Sequence, residues 1–198
     1  MNIRHTLAAA ALLCAAGSAG ASIVNFTAEL LPEAAGATGS GQALIAFDTV
    51  AHSLSLVVDW SGLSGLTTVA HIHCCTANAG TGTVGVAVSP PTLLGFPAGV
   101  SAGHYETFIA LTVPGSFSST FINDYGSGSV NGAIAALLAG FGDGKAYLNI
   151  HSSAFPAGEI RGFLTQAQAQ VPEPAGLPLA ALAALALSAL TGGARRRR

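Results

Sequence analysis

The segment Ala70-His71-Ile72-His73-Cys74-Cys75 decides how the rest of the chain is interpreted. In a β-strand, successive side chains point to opposite faces, so His71 and His73 would share one face. Two strand steps would separate their Cα atoms by about 6.5–7 Å. Imidazoles at that spacing can lean toward each other and bind one ion. The segment therefore predicts a strand that carries either a metal site or a structural cluster.

Other strands are predicted on both sides of this segment. Residues 53–60 show the clearest pattern, because Leu54, Leu56, Val58 and Trp60 alternate with a largely polar set. Further strands are predicted over residues 22–31, 41–48, 67–74, 83–88, 104–113, 145–151 and 159–165. Turn residues separate them at intervals of about ten residues, which predicts an all-β sandwich or barrel.

One short helix is predicted, over residues 130–140. Ile134, Leu137 and Leu138 lie at helical spacing, Asn131 is a possible cap, and Gly140 or Gly142 can end the helix. Residues 116–129 are polar and are predicted to be irregular.

Residues 1–21 are predicted to be a secretory signal peptide. Arg4 gives a positive start, an apolar run follows from Thr6 to Ala16, and Ala19-Gly20-Ala21 fits a cleavage site before Ser22. The apolar run is too short to cross a bilayer. We therefore expect export through the inner membrane by the secretory translocon, with cleavage by signal peptidase.

Residues 171–198 combine a proline motif, an apolar stretch at about 175–194 and a basic tail; the motif is Val171, Pro172, Glu173, Pro174 and the tail is Arg195, Arg196, Arg197, Arg198. Twenty helical residues cover about 30 Å, the thickness of the hydrocarbon core, and the arginines would stay cytoplasmic. The pattern alone predicts a transmembrane tail anchor. Its order resembles the PEP-CTERM sorting signal of Gram-negative bacteria. That resemblance implies transient anchoring, cleavage by an exosortase (a membrane-embedded protease), and then a place at the cell surface or outside the cell.

The remaining domain, residues 22–170, is acidic. It holds two basic residues, Lys145 and Arg161, against eight acidic residues, so its net charge is minus six with neutral histidines. Nucleic-acid binding usually needs a basic surface, so the composition argues against it. An anionic polysaccharide would also be repelled unless a cation bridged the two.

Five short motifs in this domain resemble the pattern of the CHRD domain, a family named after chordin that includes bacterial secreted proteins. They are Gly39-Ser40-Gly41, Leu63-Ser64-Gly65-Leu66, His71-Ile72-His73, Asn149-Ile150-His151 and Gly158-Glu159-Ile160-Arg161-Gly162. The resemblance spans residues 26–164. The Cys74-Cys75 pair is not part of the general pattern.

The layout also resembles the copper–zinc superoxide dismutase sandwich, which has a His-x-His strand too. That resemblance implies a Greek-key β-sandwich more firmly than it implies catalysis. The dismutases need about six histidines and an aspartate for two metals, and no dense histidine loop follows His73.

A single copper or zinc site is the metal hypothesis. His71, His73 and His151 would supply three imidazoles, and His104, Cys74 or a water molecule would complete a tetrahedron. The alternative is structural: the same histidines bond to backbone groups and Glu159 and help to pack the sheet.

Cys74 and Cys75 also have several interpretations. Export favours oxidation, so a vicinal disulfide is predicted, and thiolate ligation or intermolecular pairing are the alternatives. Glu159 and Arg161 share a strand face, which predicts a structural ion pair rather than acid–base catalysis.

Together these patterns predict an exported, non-enzymatic protein with a structural or binding role, at the cell surface or in the extracellular matrix of a biofilm-forming bacterium. Polysaccharide or surface proteins are the expected partners. The alternative is a metal-dependent redox enzyme or a metal store built on the histidines.

Overall fold

The computed structural model describes residues 23–167. The predicted signal peptide and the predicted sorting signal both lie outside the described residues. Within the described part of the chain, no helix combines the length and the apolar character needed to cross a membrane.

The domain is mostly β, as the sequence predicted. Its nine strands are β1 (Ile23–Pro32), β2 (Ser40–Asp48), β3 (Ser53–Ser61), β4 (Thr67–His73), β5 (Val86–Val88), β6 (Gly103–Ala110), β7 (Tyr147–Ser152), β8 (Ile160–Phe163) and β9 (Thr165–Gln166). They form one antiparallel sheet in the order β5-β4-β7-β8-β1-β2-β3-β6, and β9 pairs with β1.

The sheet is curled into a half-barrel, and its long first strand pairs on both sides. Residues 23–30 of β1 pair with β2, whereas Leu31 and Pro32 pair with β8, so this strand joins the two halves of the sheet. Its side chains alternate as predicted: Phe26, Ala28 and Leu30 are buried, and the residues between them are exposed. The face of the sheet that carries these buried side chains therefore forms the core.

A helix covers part of this core. α2 (Val130–Gly142) follows the shorter α1 (Ser119–Asp124) and buries Phe141 completely. The Phe141 ring packs edge-on against Phe26 and Phe47, with centroids 5.1 and 6.0 Å away. Aromatic pairs in this geometry add about 0.5–1.5 kcal/mol to the gain from burial.

Two of the helix predictions are wrong, namely the cap of the helix over residues 130–140 and the irregular segment over residues 116–129. The cap of α2 is Ser129, whose backbone is extended and whose hydroxyl accepts the Gly132 N–H at 3.1 Å, so Asn131 already lies inside the helix. The helix ends at Gly142, one of the two glycines predicted to end it. Residues 116–129 are not irregular throughout, because the Ser118 hydroxyl accepts the Phe121 N–H and caps α1.

Candidate metal centre

Strands β4 and β7 bring the two histidine motifs together. They pair antiparallel, with His71 opposite Asn149 and His73 opposite Tyr147. Directly opposed residues point to the same face of a sheet, so the histidines, Tyr147 and Asn149 share a face, and the alternate residues Ala70, Ile72, Leu148 and Ile150 fill the core. Two motifs nearly eighty residues apart thus form one polar surface.

Three imidazoles converge on this surface. One ring nitrogen from each of His71, His73 and His151 lies within 4.8 Å of the others. The closest pair is His71 Nδ1 and His151 Nε2, which are 3.2 Å apart. The structure therefore places the three predicted imidazoles close enough for a small inward shift to let them share an ion.

The remaining nitrogen of each ring faces a backbone carbonyl. His71 Nε2 lies 2.6 Å from the Pro91 oxygen, His73 Nδ1 lies 2.7 Å from the Val84 oxygen, and His151 Nδ1 lies 2.8 Å from the Pro156 oxygen. A carbonyl can only accept, so each of these nitrogens carries the proton of a neutral ring. The inward nitrogens are then lone-pair acceptors, as metal ligation requires.

This assignment has a direct electrostatic consequence. His71 Nδ1 and His151 Nε2 face each other at 3.2 Å with no proton between them when both rings are neutral. Two facing lone pairs repel unless a cation, either a proton or a metal ion, lies between them.

Burial keeps two of the rings neutral. His71 and His73 are each only 8% exposed, and burial lowers the pKa of both because it disfavours the charged form. The carbonyls of Pro91 and Val84 oppose this decrease in pKa, but more weakly. Neutral imidazole is the form that binds transition metals.

Two predicted fourth ligands are wrong. His104 lies on the exposed face of β6, where its ring bonds to Asp59 at 2.7 Å and to Glu106 at 3.1 Å, away from the three-histidine group. These carboxylates raise the pKa of His104. Cys74 is joined to Cys75 in a vicinal disulfide, so it offers no thiolate.

The predicted ion pair between Glu159 and Arg161 is also wrong, because Arg161 pairs with a different carboxylate. Arg161 Nε lies 3.4 Å from the carboxylate of Glu33, the first residue of the loop that follows β1. Glu159 is completely buried and accepts the backbone N–H groups of Ser64 and Gly65, the latter at 3.4 Å. Each acidic group thus has a partner that is distant in sequence.

Sequence reasoning missed two residues of the site. Asn149 is 3% exposed, with Oδ1 3.2 Å from His73 Nε2 and Nδ2 3.4 Å from Glu33 Oε1. Burial raises the pKa of Glu33, while Asn149 and Arg161 oppose that increase. The period-two pattern places Asn149 on the face of His151 and could have identified it, whereas nothing local identifies Glu33.

Stacked rings support the same face. The Tyr147 ring lies parallel to His73 with centroids 4.6 Å apart, and the Arg161 guanidinium lies 5.3 Å from the Tyr147 centroid. This stack restricts the orientation of the His73 ring.

Comparison with protein families adds one finding. The sequence model described as the CHRD domain matches residues 20–164, most of the chain. No curated protein and no solved structure is significantly similar to the chain.

Proposed function

Because the chain belongs to the CHRD domain family, we propose that it is an exported binding or structural protein whose domain holds one zinc or copper ion between His71, His73 and His151. The observation that carries the proposal is the convergence of three inward nitrogens within 4.8 Å. Each of these rings donates its N–H to a carbonyl, which is the usual outer support of a metal-bound histidine.

The ion would relieve the repulsion between His71 Nδ1 and His151 Nε2. Zinc binds histidine nitrogen at about 2.0–2.1 Å, so ligand atoms of a tetrahedral site lie about 3.3–3.4 Å apart. The 3.2 Å between these two nitrogens is already near that value. His73 needs the larger movement.

The negative charge of the domain limits the partners that it can bind. The net charge of minus six over residues 22–170 favours uncharged or cationic partners, and a bound divalent ion would let the surface contact an anionic polysaccharide. Together with the predicted sorting signal, this charge favours a place at the cell surface or in the extracellular matrix, bound to polysaccharide or to surface proteins.

Export and sorting form the second part of the proposal. The signal peptide over residues 1–21 and the PEP-CTERM order over residues 171–198 support secretion, brief anchoring in the inner membrane and exosortase cleavage. A disulfide between Cys74 and Cys75 is compatible with an oxidising compartment. For the fold, we propose that the half-barrel belongs to a Greek-key β-sandwich similar to that of copper–zinc superoxide dismutase, which a crystal structure of the purified domain would test.

Calorimetric titration of the purified domain with Zn²⁺ and Cu²⁺ tests the metal site. We expect one ion per chain, and a melting temperature that rises with metal. His71→Ala should abolish both effects, whereas the matched control His104→Ala, on the exposed face of β6, should retain them. Absence of binding to the wild type would overturn the proposal, and superoxide turnover by the copper-loaded protein would favour the enzyme alternative.

Mass spectrometry of the protein from its host tests the sorting. We expect a mature start at Ser22 and loss of the segment after the proline motif. Persistence of that segment in cells with an active exosortase would contradict the assignment.

A further inference from the structure

Asn149 lies beside His73, and its amide oxygen faces His73 Nε2, the free nitrogen of that ring, at 3.2 Å. Resting on the proposed metal site, we propose that Asn149 Oδ1 is the fourth ligand and that Glu33 orients it. The site then offers three neutral nitrogens and one neutral oxygen, and it takes a divalent ion.

The contact between Asn149 and His73, like the contact between His71 and His151, places two hydrogen-bond acceptors opposite each other. His73 donates its N–H to the Val84 oxygen, so His73 Nε2 is an acceptor, and it faces Asn149 Oδ1 at 3.2 Å. Two acceptors at that distance repel unless a cation lies beside both. The separation again matches one edge of a tetrahedral zinc site, about 3.3–3.4 Å.

Glu33 determines which way the amide of Asn149 faces. The Glu33 carboxylate pairs with Arg161 through Oε2 and accepts Asn149 Nδ2–H through Oε1. Turning the amide over would place Oδ1 against that carboxylate oxygen, so the repulsion would only move to another pair. In the observed orientation, an ion at the histidines removes the repulsion between Asn149 Oδ1 and His73 Nε2. Glu33 then orients the ligand from outside, as carboxylates do in many metal sites.

Ligand chemistry then limits the metal. The four proposed donors contain no sulfur, because Cys74 and Cys75 are joined to each other. Imidazole with one amide oxygen suits Zn²⁺ or Cu²⁺ rather than Cu⁺, which prefers thiolate or thioether ligands. The carboxylate of Glu33, one amide away, offsets part of the charge of a divalent ion.

Paired substitutions distinguish a ligand from a residue that only positions others. Asn149→Ala should weaken Zn²⁺ binding by about 10-fold or more, comparable to the loss of a supporting group. Asn149→Asp should bind Zn²⁺ at least as tightly as the wild type, since it restores an oxygen ligand and adds charge. Asn25→Ala, on the exposed face of β1, is the matched control and should leave the affinity unchanged.

A positioning role would give a different result, because the carboxylate introduced by Asn149→Asp cannot donate a hydrogen bond to Glu33. If both Asn149→Ala and Asn149→Asp lose affinity equally, or if neither changes it while the wild type binds Zn²⁺, the ligand assignment fails and the three-histidine site stands. If the wild type binds no metal, the proposed function itself fails.

A spectroscopic measurement on the wild type guards against variants that do not fold. Coordination through Oδ1 should shift the Asn149 side-chain amide resonances in a nitrogen–proton spectrum when Zn²⁺ is added. An unshifted Asn149 amide in the zinc-bound protein would overturn the inference.

Discussion

Replacing Glu159 with Gln tests the structural half of the motif 158–162. Glu159 is completely buried, and its two carboxylate oxygens accept the N–H groups of Ser64 and Gly65. Gln has nearly the same shape but only one acceptor oxygen, so its NH₂ group must face one of those two N–H donors. We expect a folded but less stable protein.

The loss of stability follows from the hydrogen bonds that are removed. Hydrogen bonds to a charged group contribute about 1.5–3 kcal/mol, and a buried donor left without a partner costs about 1–3 kcal/mol. These terms overlap, so the free energy of unfolding should fall by about 2–3 kcal/mol at neutral pH. For a domain of this size that corresponds to a decrease of about 5–10 °C in melting temperature.

The stability difference between the wild type and Glu159→Gln should also depend on pH. Burial alone would raise the pKa of Glu159, but hydrogen bonds from Ser152, Ser64 and Gly65 together lower it below the ordinary value. A carboxyl with a lowered folded-state pKa adds stability above its unfolded pKa, about 4.3, and that stability is lost as the pH falls through the folded-state pKa. The stability difference between the wild type and Glu159→Gln should therefore be full at pH 7 and shrink below about pH 4.3.

Urea unfolding at several pH values measures this difference. The matched control is Glu29→Gln, an exposed carboxyl on β1, which should change the unfolding free energy by less than about 0.5 kcal/mol. A loss below that value for Glu159→Gln, or a difference that stays constant from pH 7 to pH 3, would refute the role assigned to the buried carboxylate.

Three further substitutions probe the site and the core. Gly158 has a positive φ of 131°, and a Cβ added there by Gly158→Ala would collide with Glu33 Oε1. Calorimetry should therefore show weaker Zn²⁺ binding, and an unchanged affinity would contradict the role of Glu33. Phe141→Ala removes the ring that packs between Phe26 and Phe47 and should cost about 3–5 kcal/mol in urea unfolding; a cost below about 1 kcal/mol would show that the ring is not part of the core. Ser129→Ala removes the cap of α2 and should cost about 1 kcal/mol, with Asn131→Ala as the control that should cost less.

Local pattern was enough to predict the strands and the shared faces. Alternation predicted β1, β2, β3 and β7 to within about two residues at each end, and it placed His71 beside His73 and Asn149 beside His151. It could not rank Ser129 above Asn131 as a cap, because both residue types cap helices and only the extended backbone of Ser129 decides between them. The six residues of α1 were too few and too polar to show a helical period.

Local sequence pattern could not predict the contacts between segments that are distant in the chain. Pairing Glu159 with Arg161 was reasonable on one strand, yet Glu159 reaches Ser64 and Arg161 reaches Glu33. Those partners depend on β8 lying between β7 and the end of β1, and the chain order does not reveal that arrangement. His104 failed as a ligand for the same reason, since β6 lies at the other end of the sheet order from β4.

The motif 158–162 therefore supports two different parts of the domain, a turn and the face that carries the histidines. Glu159 holds the turn at Ser64 and Gly65, whereas Gly158 leaves room for Glu33, which Arg161 holds against Asn149. These supports are separable, because Glu159 has no hydrogen bond to a histidine within residues 23–167, whereas the second support ends on Asn149, which contacts His73. Glu159→Gln should accordingly lower stability while the folded protein keeps its Zn²⁺ affinity, and Gly158→Ala should lower the affinity by more than its stability loss explains. Equal effects of both substitutions on affinity would mean that the motif supports the sheet alone and that the metal face has no dedicated support.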